Sequence, residues 1–111
     1  MPIDETEFRS HADVALNRLN RSLGGAADQY DAEVLFQNGV LTIEVEEPQP
    51  SKIVISPNAP VRQIWISAQS RSFKLDWRDD AFILAATDEI LDNLVSRLVG
   101  EQLGIGPIKL G

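Results

Sequence analysis

The chain has 111 residues, no cysteine, 43% hydrophobic content and a formal net charge of −7. That length suits a single domain with its own core. The missing cysteines exclude disulfides, thiolate zinc sites, cysteine-ligated iron–sulfur clusters and thiol catalysis.

The charge is unevenly placed: residues 1–50 hold ten acids and three bases, and the remainder is balanced at seven of each. A negative field of this kind favours cations or basic protein patches and disfavours nucleic-acid backbone. Met1-Pro2-Ile3-Asp4-Glu5 has neither the basic nor the apolar region of a secretory signal. No apolar run is long enough to cross a bilayer. One cytoplasmic domain over residues 1–111, acting without membrane or nucleic acid, is the expectation.

In chain order, residues 4–23 read as an amphipathic helix. Asp4 with Glu7 three residues on resembles a capping box, and Phe8, Ala12, Ala15, Leu16, Leu19 and Leu23 recur at helical spacing. Gly24-Gly25 is expected to end it. Glu33–Gln37 and Val40–Glu46 then flank Asn38-Gly39, a strong hairpin signal. A two-residue turn pairs residues whose numbers sum to 77, which sets Val34 against Ile43, Phe36 against Leu41 and Ala32 against Val45 on one apolar face.

Further strands are expected at Lys52–Ser56, with Ile53 and Ile55 inward, and at Val61–Ser67, after a turn at Pro57-Asn58-Ala59-Pro60. Ser72–Trp77 places Phe73, Leu75 and Trp77 on one side and Lys74 and Asp76 on the other. Asp79-Asp80 is a turn before a short strand at Phe82–Leu84. A closing helix over Asp88–Leu103 turns Ile90, Leu91, Leu94, Val95, Leu98 and Val99 inward, with Gly100 as its weak point. In the tail that follows, Ile105, Ile108 and Leu110 can dock. Consecutive strands on short connections are antiparallel. The expected fold is an α+β two-layer sandwich, with two terminal helices on one face of an antiparallel sheet of five to six strands.

The uncovered sheet face carries the candidate functional residues. In Gln63-Ile64-Trp65-Ile66-Ser67 alternation turns the isoleucines inward and leaves Trp65 among polar neighbours. A large aromatic on a wet face reads as a contact surface. On the hairpin's outer side the register opposes Glu33 to Glu44 and Asp31 to Glu46. Like charges across a rung destabilise a hairpin, and clustered carboxylates suit hard cations, iron or manganese. Glu7 and His11, at i and i+4, form a second weak candidate, although His11 reads best as an exposed helix residue. A solvated acidic edge that repels other sheets explains the four acids equally well. No phosphate-binding loop, GxSxG or HExxH is present, so conventional catalysis is not expected.

Phe36-Gln-Asn-Gly-Val-Leu-Thr-Ile-Glu44, Ile53-Val-Ile55, Pro60-Val-Arg-Gln-Ile-Trp-Ile-Ser67 and Phe73-Lys-Leu-Asp-Trp77, in this order over nearly the whole chain, resemble the frataxin family. The resemblance implies an accessory and regulatory protein of iron–sulfur cluster assembly. Such a protein works as a monomer, binds the cysteine desulfurase and the scaffold protein, and holds Fe2+ or Fe3+ weakly on an acidic ridge, with weak ferroxidase activity as its only enzymatic side. It places Asp31 and Glu33 at strand carboxylate positions and Asp13 at a helix acid. Gln63, Trp65, Lys74 and Asn58 fall at machinery-contacting positions.

The chain also departs from the family. Asn17-Arg18-Leu19-Asn20-Arg21-Ser22 stands where family members are usually acidic, Ser56 replaces a common asparagine, and Glu44 and Glu46 suggest that the acidity has moved onto the hairpin. A small acidic α+β chaperone or interaction module, dimeric and without an iron role, is the competing reading.

Overall fold

The structure is a computed structural model that describes residues 3–30, 32–46 and 49–110. Helix α1 covers Glu5–Tyr30, and a continuous meander follows: β1 Ala32–Gln37, β2 Val40–Val45, β3 Ser51–Asn58, β4 Gln63–Ala68, β5 Arg71–Arg78, β6 Ala81–Leu84 and β7 Glu89–Ile90. Helix α2, Leu91–Leu103, closes the fold. The seven strands pair antiparallel in sequence order, one or two more than the five to six expected.

Asp4 caps α1 as its spacing implied, its carboxylate accepting from the Glu7 N–H at 2.7 Å. The helix does not stop at Gly24-Gly25. It continues to Tyr30, and Ala26 prolongs the buried stripe of Phe8, Ala12, Leu16, Leu19 and Leu23. Neither glycine has a positive φ, and burial of the next apolar turn outweighs about 1 kcal/mol of poor helix propensity per glycine.

The first hairpin forms in the register set by Asn38-Gly39, with both turn residues at positive φ and Ala32, Val34 and Phe36 opposite Val45, Ile43 and Leu41. Strand β3 runs on through Pro57 to Asn58. The expected turn is a 3-10 helix, Ala59–Val61, closed by Arg62 in the left-handed region at φ 55°. Asp79 and Asp80, at φ 52° and 62°, make the expected turn between β5 and β6.

Strand β7 lies where helix was expected. Asp88 adopts φ 59°, incompatible with the extended backbone of an N-cap. The chain therefore adds one short rung, Ile83 opposite Ile90 and Leu84 opposite Glu89, before α2 begins. Ile90 pairs with Ile83 and, 40% exposed, lines the cavity that opens between α1 and the start of α2 without joining the buried core. Glu89 holds this corner by accepting two bonds of 2.8 Å from the Arg97 guanidinium on α2. That contact, more than any other, lowers its carboxyl to about 2.

Both helices cover one sheet face. Phe8, Leu16, Leu19 and Leu23 meet Leu41, Ile43, Ile53, Ile55, Ile64, Ile66 and Leu75, and Leu94, Val95 and Leu98 of α2 complete the core. In the tail Ile108 docks, while Ile105 stays 49% exposed. Ser96 and Ile108 are joined twice: the Ile108 N–H donates to the Ser96 carbonyl at 3.3 Å, and the Ser96 hydroxyl donates to the Ile108 carbonyl.

Candidate functional site

The outer sheet face follows from the strand registers. Glu33, Glu44 and Lys52 form one row across β1 to β3. Ser56, Trp65 and Lys74 form another across β3 to β5, and next to it Asn58, Gln63, Asp76 and Ile83 run from β3 to β6. The four positions expected to contact partners, Asn58, Gln63, Trp65 and Lys74, thus occupy two adjacent rows.

Trp65 stands 37% exposed at the centre of this group. Its indole N–H donates to the Gln63 side-chain carbonyl at 2.9 Å, and the Gln63 amide nitrogen donates to the Asp76 carboxylate at 3.0 Å. The Lys74 ammonium lies 5.0 Å from the ring centroid, within cation–π range. Beside the ring is a shallow depression of about 270 Å3, lined by Val54, Ser56, Ser67, Ser72 and Lys74.

The acidic candidates are more dispersed. Glu33 faces Glu44 as the register required, but Lys52 lies on the same row with its ammonium 3.9 Å from the Glu44 carboxylate. The ammonium offsets part of the like-charge repulsion and competes with any bound cation. Glu46 is exposed beyond the end of β2. Asp31, and with it the expected Asp31–Glu46 pairing, lies outside the described residues. Asp13 projects from α1 in the helix layer, where its carboxylate accepts from the Asn17 amide at 3.2 Å. Among the described residues, no three histidines or acids converge closely enough to hold a metal ion.

His11 is not the exposed helix residue expected. Its ring is half-buried and stacks on Trp77 at 3.9 Å and 12°, and Trp77 in turn meets Phe82 edge-on at 5.0 Å. A cavity of about 260 Å3 opens there between α1 and the start of α2, with Arg18, Asp80 and Asp92 around it. Burial raises the Asp92 carboxyl against the opposing pull of Arg18.

Sequence reasoning missed Asp76 as part of the indole group. It was placed on the outer face, but its partner on β4 depends on the two-residue turn Gln69-Ser70, which sets Gln63 opposite Asp76. Gln69 takes φ 57° without being one of the residues that announce such a turn.

A meander sheet covered on one face by its two terminal helices, with an anchored indole on the other, defines a class of small α+β sandwich. The chain belongs to the frataxin family: the family model for a Frataxin-like domain matches residues 1–105. The iron-sulfur cluster assembly protein CyaY of Ralstonia nicotianae is 32% identical over 103 residues, covering 91% of this chain and 89% of that protein. The protein of the same name from Ralstonia pickettii is 33% identical over 104 residues, with 91% and 90% covered. The solved frataxin from Psychromonas ingrahamii shares the fold at a TM-score of 0.70 and 20% identity, over 95% of this chain and 96% of that one.

Proposed function

We propose that this chain is an accessory and regulatory protein of iron–sulfur cluster assembly, docking as a monomer in the cytoplasm on the cysteine desulfurase and the scaffold protein. The observation that carries this reading is the Trp65 group: a large, oriented aromatic in the middle of a sheet face that, among the described residues, neither helix covers. Aromatic anchors of this kind dominate binding energy at interfaces, and the bulk negative charge speeds encounter with a basic partner.

In this reading iron is cargo, not a resident cofactor. The Glu33–Glu44 rung offers two carboxylates and a competing ammonium, a donor set for shallow, weak binding in which water completes the shell. Asp13, Asp31 and Glu46 are the remaining acids proposed to bind it weakly.

The test is retention by purified bacterial desulfurase and scaffold. Trp65→Ala is expected to lose retention at least about tenfold while lowering stability by only about 2 kcal/mol, because more than a third of the residue is already exposed. A loss of several kcal/mol instead would mean that the ring is core. Reversing Glu33 and Glu44 to lysine is expected to weaken ferrous-iron binding, and Lys52→Ala to strengthen it. An iron titration unchanged by either substitution removes the hairpin from the iron site.

A further inference from the structure

The chain of bonds from Trp65 through Gln63 ends on Asp76, and its direction is chemically fixed. A carboxylate only accepts hydrogen bonds. Whichever end of the Gln63 amide meets Asp76 must therefore be the NH2, and the observed bond of 3.0 Å runs that way. The amide carbonyl is then left at the opposite end, where the Trp65 N–H donates to it at 2.9 Å. Without an acceptor at position 76 the amide can turn over, and its NH2 would then face the indole N–H, donor against donor.

We infer that Asp76 is a positioning residue: acting through Gln63, it sets the orientation in which Trp65 is offered to a partner. The inference rests on the docking role proposed for Trp65 and deepens it. With the N–H engaged inside the face and Lys74 against the ring, a partner meets the indole through its apolar edge and its remaining π surface. The group that suits it is an aliphatic or aromatic side chain entering the depression beside Val54 and Ser56. An acceptor seeking the indole N–H does not suit it. Holding the ring before contact also removes the immobilisation that binding would otherwise impose.

The polarity of the chain provides the test. Hydrogen exchange of the two tryptophan indole N–H groups is read by 15N NMR, with Trp77 as internal control. Asp76→Ala is expected to speed exchange at Trp65 by about fivefold or more and to leave Trp77 unchanged. Gln63→Glu does the same, since two carboxylates then face each other. Combining Gln63→Glu with Asp76→Asn restores slow exchange at the wild-type net charge, because the asparagine amide donates to the new carboxylate, whose second oxygen accepts from the indole. Asp76→Asn alone keeps slow exchange, its carbonyl still taking the Gln63 NH2.

In titrations with purified cysteine desulfurase and scaffold, Asp76→Ala lowers affinity about threefold to tenfold, the scale of one freed side chain; Asp76→Asn and the double variant stay near wild type. The inference is overturned if Gln63→Glu leaves Trp65 exchange at the wild-type rate, if the double variant exchanges no more slowly than Gln63→Glu at equal melting temperature, or if Asp76→Ala binds both proteins as wild type does. A wild-type chain that binds neither overturns the assembly reading itself, and the exchange arm then decides the positioning role alone.

Discussion

Gly100 sits in the middle of the last two turns of α2, where alanine is ordinarily better by about 1 kcal/mol. The tail makes this position an exception. A Cβ added there would lie 2.8 Å from the Gly106 carbonyl carbon and 3.1 Å from Pro107 Cα. Both are backbone atoms, which cannot rotate aside. The crossing is held from two sides: the Ile105 N–H donates to the Gly100 carbonyl at 2.9 Å, and Ile108 is tied to Ser96 with its side chain 6% exposed.

Making room means lifting the tail by several tenths of an ångström or releasing it. Release forfeits about 2 kcal/mol of Ile108 burial and about 1 kcal/mol for each hydrogen bond. Set against the propensity gain, Gly100→Ala should destabilise the chain by about 1–3 kcal/mol, a fall in melting temperature of about 4–12 °C.

Truncation after Ile105 isolates the cause, since it removes Gly106 and Pro107 and keeps the helix cap. In that background Gly100→Ala should stabilise by about 1 kcal/mol, a coupling of about 2–4 kcal/mol between substitution and tail. Urea unfolding followed by circular dichroism on the four proteins completes the cycle. If Gly100→Ala stabilises the full chain as much as the truncated one, the tail does not cross the helix there and the reasoning fails.

Gly24→Ala and Gly25→Ala should each stabilise by about 0.5–1 kcal/mol, because an added Cβ at either meets nothing within 4 Å; a loss in thermal melts would return the end of α1 to the glycine pair. Glu89 bears on acid stability. Its carboxyl is lowered from 4.5 to about 2, so the folded state binds fewer protons than the unfolded. Its contribution is therefore complete above the unfolded value and disappears as pH falls from about 4.5 towards 2. Glu89→Gln should lower stability at pH 7 by about 1–2 kcal/mol after solvent screening and flatten the acid limb of a melting-temperature profile. A parallel downward shift at every pH would refute that origin.

How far the sequence was legible follows from the range of each signal. Asn38-Gly39 forces positive φ at both turn residues and apolar alternation agrees with it, so the first hairpin's register was readable from Ala32–Val45 to Gln37–Val40. The same holds for the indole's face, because Ile64 and Ile66 leave alternation no choice. The helix end at Gly24-Gly25 was misread because a local breaker was weighed without the tertiary term: Ala26 and the contacts of Tyr30 with the core lie beyond it. Strand β7 was invisible for a related reason. Two residues carry no periodicity, and what holds them is the Glu89–Arg97 pair, a contact between elements. His11 was misjudged likewise, since the Trp77 ring that covers it belongs to another layer.

The acids and the indole share a face without forming one site. From Lys52, on the acidic row, to Ser56, on the indole row, is four residues along β3, or about 13 Å. Glu44 and Trp65 also lie two strands apart, about 10 Å across the sheet. Their side chains therefore originate about 16 Å from each other, beyond a Debye length of about 8 Å at physiological ionic strength. Screened over that span, the acidic rung does little for the local chemistry at Trp65. What it does contribute is a second, electrostatic contact on the same surface. A partner that covers both must present a basic patch and an apolar projection at that separation, and two partners can divide them. Salt separates the cases: if one partner covers both, Trp65→Ala and raised ionic strength weaken the same complex; if two divide the face, each perturbation weakens a different one.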